Sequence, residues 1–406
     1  AGWRKKHPIK KNTLERETVR IILKTGHPGG YPWIFSRMVM HPRRRPEPGA
    51  LVDVWAKGGV FVGRGIYHPD RTLAVRLLTR NPDEPLNGEF IYRRLEAAKD
   101  LRENILRIPE KSDSYRLIHA EADGLSGLVI DKFANVFVAQ PFSAGYLSLG
   151  PLVADALQRL YPGCRVAFRP DEKTEKTEGI SFAPLSSRYP APSCVDIQEN
   201  GLRLRIDLAA GHKTGYFLDQ RDNRAAAAAF AAGKKVWDLF CYTGGFGLAA
   251  ARAGAGEVIS IDLDEKALRF AEDNAKRNSL PVKYVHRDCF DFLREQIAGG
   301  EQADIIIADP AKLAAVKEEI PRALKTYSDI NRLAIAALRP GGILVSCSCS
   351  GLVSEEQFLS VVGGAAKEAK REMQIFRIAG AAPDHPWSTD FPEGRYLKAV
   401  FARRIG

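Results

Sequence analysis

The sequence has few cysteines, and none of them is paired in a metal-binding or redox spacing. Six cysteines are scattered over 406 residues, and no two of them are spaced as CxxC. This usage argues against both a disulfide framework and a zinc site. It predicts a protein of the reducing cytoplasm that holds no metal.

Long apolar segments are also missing. No apolar run approaches the roughly 18 to 20 residues that a membrane-spanning helix needs. The basic N-terminal stretch AGWRKKHPIKKN is not followed by the apolar core of a secretory signal. We therefore expect no contact with a membrane.

Positive charge, in contrast, is in excess. The chain has 60 Lys and Arg against 49 Asp and Glu, a formal net charge of +11. Two basic clusters stand out, at residues 4–11 and 43–45. Such a charge favours a polyanionic partner.

Three stretches of different pattern divide the chain. Residues 1–80 contain the short apolar or alternating runs VRIIL, ALVDVW, GVFVGRGIY and LAVRLL, and this pattern predicts a small β-barrel. Residues 81–192 predict a smaller α/β domain, with helices at 90–104 and 152–160 and strands in SYRLIHAE and LVIDKFANVFVAQ. The polar stretch DEKTEKTEG and the proline-containing RYPAPS then predict a boundary, so that a third domain spans residues 193–406.

Strand and helix alternate through the third domain. This βαβ pattern predicts the α/β class, with a doubly wound, mostly parallel sheet. The terminal segment YLKAVFARR fits an antiparallel strand added at the end. We expect Asp219 to cap an alanine-rich helix and Gly233 to lie just past the end of that helix. Two helices are expected between DIIIADP and GILVSCSC.

A glycine-containing turn follows the first strand of this domain. The segment VWDLFCYTGGFGLAAARAG has the pattern strand, turn, helix, with glycines at 244, 245 and 247 instead of a GxGxxG motif. Glycine at such a turn lets backbone N–H groups approach a ligand at a helix N-terminus. A plain βα turn without a ligand is the alternative.

Four carboxylates favour the ligand. Asp238, Asp262, Asp288 and Asp309 end four predicted strands, and the carboxyl edge of such a sheet is where ligands bind. Asp262 stands where ribose hydroxyls are bound, and Asp288 is a candidate acceptor for an adenine amine. Because two carboxylates would repel the phosphates of a dinucleotide, the sequence favours a sulfonium cofactor without phosphate, S-adenosylmethionine.

Two cysteines near the end of another strand raise a separate question. In GGILVSCSCSGLV, Cys349 lies about 7 Å beyond Cys347 along the strand. We expect Cys347 to be inert inside the strand and Cys349 to lie at its tip, before a helix capped by Ser354. A thiolate there can add to carbon 6 of a pyrimidine and make carbon 5 nucleophilic. Asp309 is then the candidate group for ring nitrogen 3, and Lys312 is the candidate to lower the thiol pKa or contact a phosphate; a solvated lysine at a helix start is the alternative.

At this point the chain resembles the RlmI-type ribosomal RNA large-subunit methyltransferases, which make 5-methylcytosine in 23S ribosomal RNA. The resemblance runs essentially end to end. It is carried by the segments YPWIFS (31–36), DSYRLIHAEADGLSGLVIDKF (113–133), GHKTGYFLDQRDNR (211–224), DLFCYTGGFG (238–247), DIN (329–331), SCSGL (348–352) and DHPWSTDFPEGRYLK (384–398).

The resemblance implies a PUA domain, a central α/β domain and a class I methyltransferase domain. It places the nucleophile at Cys349, and Gln220 and Arg221 over the cofactor, where the guanidinium can meet the methionine carboxylate. Tyr242, Gly244 and Gly245 fall in its cofactor turn. It also implies that the basic N-terminal residues contact RNA phosphates, since PUA domains bind RNA.

One departure from the family concerns the catalytic loop. The family usually has Asp-Pro-Pro-Lys where this chain has Ala311 after Pro310. Lys312 also stands where the two-cysteine RNA cytosine methyltransferases carry a second cysteine, so the resemblance implies a single-cysteine mechanism whose base is unidentified. His385 is a candidate for that base, and a turn-stabilising histidine is the alternative.

Several alternatives stay open at the sequence level. Methylation of uridine carbon 5 or of a guanine nitrogen is a second enzymatic reading, and a non-catalytic RNA-binding assembly factor is a third. Trp33 and Phe35 can stack on bases, although we favour a place in the barrel core. The oligomeric state is open, with a homodimer as one option.

Overall fold

The computed structural model describes residues 19–26, 29–40, 45–209 and 214–405. The basic cluster at 4–11 and two of the three arginines at 43–45 lie outside the described residues. The described residues form four sheets.

The N-terminal sheet has five strands in the order β1-β3-β4-β5-β2. Its strands are β1 (Val19–Ile22), β2 (Trp33–Phe35), β3 (Leu51–Trp55), β4 (Phe61–Tyr67) and β5 (Leu73–Thr79). The four predicted strands are confirmed, and β2 is an addition of three residues. Every second residue of β3 is buried, which gives the sheet one apolar face.

The second sheet has the order β6-β7-β8-β9 and packs against two long helices. Its strands and the helices of this region are α1 (Gly88–Lys99), β6 (Ser114–His119), β7 (Leu128–Phe133), β8 (Val136–Pro141), α2 (Tyr146–Leu160), β9 (Arg165–Phe168), α3 (Glu172–Glu178) and α4 (Ala183–Arg188). The predicted strand LVIDKFANVFVAQ is a hairpin, because Ala134 turns the chain with a φ of 52°. The polar stretch DEKTEKTEG, predicted as part of a boundary, contains helix α3.

A two-stranded hairpin leads into the third region. It is formed by β10 (Cys194–Glu199) and β11 (Leu202–Asp207), which pair antiparallel. Residues 211–213 of the GHKTGYFLDQR motif lie outside the described residues. The domain limits at 80 and 192 stay predictions.

The C-terminal sheet has seven strands in the order β14-β13-β12-β15-β16-β18-β17. Its elements are α5 (Arg221–Ala228), β12 (Lys235–Leu239), α6 (Gly245–Arg252), β13 (Glu257–Asp262), α7 (Glu265–Asn278), β14 (Lys283–His286), α8 (Cys289–Ala298), β15 (Ala303–Ala308), α9 (Ile320–Ala337), β16 (Leu338–Ser348), α10 (Glu355–Glu368), β17 (Met373–Ala379) and β18 (Lys398–Arg404). Strands β12 to β16 are parallel, and β18 is antiparallel to β16. The doubly wound sheet and its antiparallel C-terminal strand are confirmed.

Three local predictions are wrong. Asp219 does not cap the alanine-rich helix α5; Gln220 holds that position, and the Asp219 carboxylate accepts a hydrogen bond from Tyr396 Oη instead. Helix α5 ends at Ala228, well before Gly233, whose N–H binds the carbonyl of Gly254. One helix, α9, stands where two were expected, because residues 309–316 are irregular.

The sequence predicts neither membrane-spanning helices nor a metal site. Among the described residues, none of the helices has the length and apolar character to cross a bilayer. The same residues bring together no group of three or more His, Cys, Asp or Glu side chains that could hold a metal ion.

Candidate active site

The turn between β12 and α6 has an unusual backbone. Phe240, Tyr242 and Gly244 have φ values of 58°, 51° and 79°. Non-glycine residues rarely adopt this left-handed conformation, and its cost is accepted mainly at functional sites. Gly247 has no room for a side chain, because an added Cβ would lie 2.3 Å from Ser260 Oγ. The approach of backbone N–H groups of α6 to a ligand at this turn stays a prediction.

Two of the predicted carboxylates are held at the same edge of the sheet. Asp262 ends β13 and accepts hydrogen bonds from the N–H groups of Tyr242 at 2.8 Å and Asp264 at 2.9 Å. Asp288 lies just after β14 and caps α8 through Oδ1, which accepts from two N–H groups of the first turn. Asp288 was expected to end the strand itself. Both carboxylates remain partly exposed and have lone pairs left for a ligand.

Asp238 differs from these two because it is buried beneath the turn. Its Oδ2 accepts a hydrogen bond from Gly247 N at 2.8 Å, and Oδ1 has no hydrogen-bond partner among the described residues. Burial raises the pKa of Asp238 to about 8, against the opposing effect of the Gly247 N–H. In the sheet Asp238 pairs with Ser260, which pairs with Tyr284, so that a polar row crosses three strands under the glycine turn.

This donor set fits S-adenosylmethionine. Carboxylates suit ribose hydroxyls, an adenine amine and the methionine ammonium group, whereas the phosphates of a nucleotide would be repelled. The buried, unpartnered Asp238 Oδ1 offers one such acceptor. Gly244 and Gly245 carry the backbone past this point at the start of α6.

The two neighbouring cysteines have different environments. Cys347 lies inside β16 and is fully buried, and burial raises its pKa well above the ordinary value of a thiol. Cys349 follows the last residue of β16 and is partly exposed. Its Sγ lies 3.9 Å from the carbonyl oxygen of Pro310, the residue after Asp309. The placement expected for each cysteine is confirmed.

Hydroxyl groups on both sides of Cys349 hold it in place. Ser348 Oγ donates to Tyr327 Oη at 3.0 Å, and Ser350 Oγ lies 3.0 Å from the same phenol oxygen. Ser350 Oγ also accepts from the N–H groups of Leu313 and Ala314. The turn that carries Cys349 is thereby tied both to helix α9 and to the loop after Asp309.

Asp309 and Lys312 lie on this loop with different exposure. Asp309 directly follows β15 and is partly exposed at the carboxyl edge of the sheet. Lys312 is exposed in the irregular segment and does not begin a helix. The structure thus brings Asp309 next to Cys349 through Pro310, while the role of Lys312 stays a prediction.

Gln220 and Arg221 are both buried near the start of α5. Arg221 donates through Nη1 and Nη2 to the carboxylate of Asp384, at 3.1 and 2.9 Å, and through Nε to Asp222. Gln220 Oε1 accepts from Asn223. Because Arg221 is already neutralised by protein carboxylates, the structure favours a structural role for it. Its contact with the methionine carboxylate stays a prediction.

His385 is buried beside this ion pair. Its Nδ1 lies 3.4 Å from Asp384 Oδ1, its ring lies 5.2 Å from that of His119, and its N–H closes a turn to the carbonyl of Ala382. The turn-stabilising alternative is favoured over a catalytic base.

Trp33 and Phe35 were predicted to be core residues of the N-terminal sheet, and this is wrong. Both are only partly buried and belong to none of the apolar core clusters. The Trp33 ring packs 4.7 Å from that of Phe391, and its Nε1 donates to Glu121. The aromatic motif therefore joins the N-terminal sheet to the other two regions.

Sequence reasoning missed two residues around Cys349, Tyr327 and Lys398. Lys398 is buried where β18 begins. A lysine inside the apolar run LKAVFA was the available signal, since lysine is almost never fully buried without a partner. Tyr327 gave no comparable signal, because a tyrosine in an amphipathic helix is ordinary.

Comparisons with known proteins agree with this geometry. A family model described as S-adenosylmethionine-dependent methyltransferase matches residues 164–400, and a PUA-like domain model matches residues 27–80. The ribosomal RNA large subunit methyltransferase I of Photobacterium profundum is 41% identical over 374 residues, covering 91% of this chain and 94% of that protein. The protein of the same name from Shewanella frigidimarina is 41% identical over 395 residues, covering 95% and 99%. A methyltransferase crystallised with SAH has 21% identity and a TM-score of 0.78, covering 95% of this chain and 99% of its own.

Proposed function

Because the chain belongs to the S-adenosylmethionine-dependent methyltransferase family, we propose that it methylates carbon 5 of a cytosine in large-subunit ribosomal RNA through a covalent bond to Cys349. The RNA substrate is inferred from the names of relatives that are about 40% identical over nearly the whole chain. The base position is inferred from the thiol. Methyl transfer to a guanine nitrogen would not need a cysteine at the carboxyl edge of the sheet.

The residues that would hold the cofactor lie near the carboxyl ends of three adjacent strands. Asp238 was expected to end β12 but is the residue before its last, Asp262 ends β13, and Asp288 follows β14. Asp262 would bind the ribose hydroxyls, Asp288 the adenine amine, and Asp238 with the turn at Gly244 the methionine end. S-adenosylmethionine supplies an electrophilic methyl group on its sulfonium.

Cys349 would activate the cytosine ring by forming a covalent bond to it. Its thiolate adds to carbon 6 of cytosine, and the electron pair of the 5,6 double bond forms a 4,5 double bond. The electron pair of the 3,4 bond then goes to nitrogen 3, which takes a proton from Asp309 and returns it when carbon 5 attacks. Carbon 5 is then nucleophilic and takes the methyl group. Removal of the carbon-5 proton returns the electron pair to the 5,6 bond and expels the Cys349 thiolate. The group that takes this proton is unassigned.

The observation that carries the proposal is the contrast between the two cysteines. Cys349 is partly exposed beyond the end of β16, with its Sγ 3.9 Å from the carbonyl oxygen of Pro310, whereas Cys347 is fully buried inside the strand. Carbon 6 of a stacked base is inaccessible, so the target nucleotide must be unpaired or flipped out. The PUA-like domain at residues 27–80 is the expected site of additional RNA contacts.

The test compares Cys349→Ala with Cys347→Ala on ribosomal RNA from cells that lack the gene. Nucleoside mass spectrometry should detect new 5-methylcytosine with the unaltered protein and with Cys347→Ala, and none with Cys349→Ala. RNA containing 5-fluorocytidine should remain covalently attached to Cys349, because fluorine at carbon 5 cannot leave as a proton. Methylated guanine formed equally by Cys349→Ala would refute the proposal.

A further inference from the structure

Lys398 contacts the turn that carries Cys349 from inside the protein. It begins β18, pairs in the sheet with Ser348, and is only 4% exposed. Its Nζ donates to three carbonyl oxygens, those of Ser350 at 2.7 Å, Val353 at 2.7 Å and Tyr396 at 3.0 Å. Two of these carbonyls belong to the four residues that follow Cys349.

The hydrogen bonds determine the charge of this side chain. Three acceptors require three N–H donors, and only the ammonium form of lysine provides three. Burial lowers the pKa of Lys398 to about 8, and the neighbouring Cys349 and Glu355 oppose that shift. The geometry therefore holds a positive charge under the Cys349 turn at neutral pH.

Among the described residues, the other titratable groups near Cys349 are Tyr327, Tyr396, Cys347 and Asp309, and none of these four is a cation. Burial raises the pKa of Tyr327, Tyr396 and Cys347, so these groups are neutral near pH 7. Asp309 is an acid and disfavours a thiolate nearby.

Two further charges lie close to Lys398. Arg395 and Glu355 form an ion pair at 2.5 Å, in which the two charges largely offset each other. Lys398 is thus a buried cation whose charge favours ionisation of Cys349.

We propose that Lys398 is a positioning residue for the methyl transfer, which fixes the Cys349 turn through its three carbonyl contacts and stabilises the Cys349 thiolate through its charge. This inference rests on the proposed role of Cys349 as nucleophile. It assigns thiol activation to Lys398 instead of Lys312, since Lys312 is exposed and its charge is screened by water and salt.

The experiment measures the ionisation of Cys349 directly. The rate of iodoacetamide alkylation of the Cys349 peptide is followed by mass spectrometry from pH 5.5 to 10 in the protein without RNA. In the unaltered protein the pH midpoint of Cys349 alkylation should lie below about 8.5, which is the pKa of a free cysteine. Lys398→Met should move it upward by at least about one pH unit, equivalent to a tenfold smaller thiolate fraction near neutral pH.

Lys132→Met is the matched control. Lys132 is also partly buried and donates to a backbone carbonyl, that of Asp113 at 2.8 Å, but it lies in the central sheet. This variant should leave the Cys349 midpoint unchanged. An equal shift in both variants would mean that general loosening of the protein, and not the charge of Lys398, controls the thiol.

Methylation rates add a readout that a merely structural role does not produce. The Lys398→Met enzyme should lose about tenfold or more at pH 7 and recover toward pH 9 as the thiol ionises unaided, whereas a misfolded protein would not recover.

Two measurements distinguish a failure of the role proposed for Lys398 from a failure of the role proposed for Cys349. If Lys398→Met does not fold, a midpoint at or above 9 in the unaltered protein overturns the inference about Lys398. Retained methylation in Cys349→Ala overturns the nucleophile and leaves the alkylation result standing by itself.

Discussion

The phenol oxygen of Tyr327 and the hydroxyl of Ser350 lie 3.0 Å apart in the protein interior. This contact joins helix α9 to the residue after Cys349, and Ser350 in turn holds the backbone of the loop after Asp309. The nucleophile and the carboxylate proposed for ring nitrogen 3 are therefore positioned by one hydrogen-bond network.

Replacing Tyr327 by Phe tests this network. The change removes one hydroxyl and leaves two buried serine hydroxyls short of a partner, which should cost about 1–2 kcal/mol of unfolding free energy. Displacement of the Cys349 turn should lower kcat by about ten- to a hundredfold. Urea denaturation and single-turnover methylation measure the two effects. Tyr92→Phe, on helix α1 of the central domain, is the control, and an equal kcat for both variants would contradict the role of the network.

The buried carboxyl of Asp238 predicts a dependence of stability on pH. Because burial raises its pKa to about 8, the folded protein binds this proton more tightly than the unfolded chain, whose carboxyl titrates near about 3.9. Its contribution to the free energy of unfolding is full below about pH 4 and is lost progressively as pH rises to about 8, by an amount on the order of a few kcal/mol.

Asp238→Asn isolates this contribution, since asparagine can still accept from Gly247 N but does not titrate. Urea denaturation without cofactor, at intervals from pH 5 to 8.5, should give a stability difference that increases with pH in favour of the variant. Parallel stability curves for the two proteins would show that the Asp238 carboxyl is ionised in the fold at neutral pH.

Elements with a strong local pattern could be predicted from the sequence. The helix expected in EKALRFAEDNAKRN is observed over the same residues, Glu265–Asn278, because its apolar face and its Asp264 cap are local features. The distinction between Cys347 and Cys349 could also be predicted, since the strand alternation and the position of the strand end decide it.

Features that depend on distant contacts could not be predicted. Asp219 has the sequence of a helix cap, yet Tyr396, which is 177 residues away, binds its carboxylate. Trp33 is an aromatic residue in a short strand, which is typical of a core residue. Its partners Phe391 and Glu121, however, belong to other regions of the chain. Arg221 was expected to bind a ligand, but its guanidinium pairs with Asp384.

The ion pair between Arg221 and Asp384 provides the last prediction. Burial by itself would raise the pKa of Asp384, but the neighbouring His385 ring and the Arg221 guanidinium hold that pKa below its ordinary value, so the carboxylate stays ionised. Asp384 also accepts from the N–H of Arg116 in the central sheet at 2.8 Å, which makes it a link between the two domains. Asp384→Asn should cost about 3–5 kcal/mol, because the buried Arg221 guanidinium then keeps only the half-exposed Asp222 carboxylate as an ionic partner.

Asp222→Asn is the control for this prediction. Asp222 binds the same guanidinium through Nε at 3.1 Å, but its side chain is 48% exposed. Solvent screens such a pair, so its loss should cost less than about 1 kcal/mol. Urea denaturation of both variants at pH 7 and moderate salt makes the comparison. Similar losses in the two variants would contradict a dominant role of the buried pair between Arg221 and Asp384.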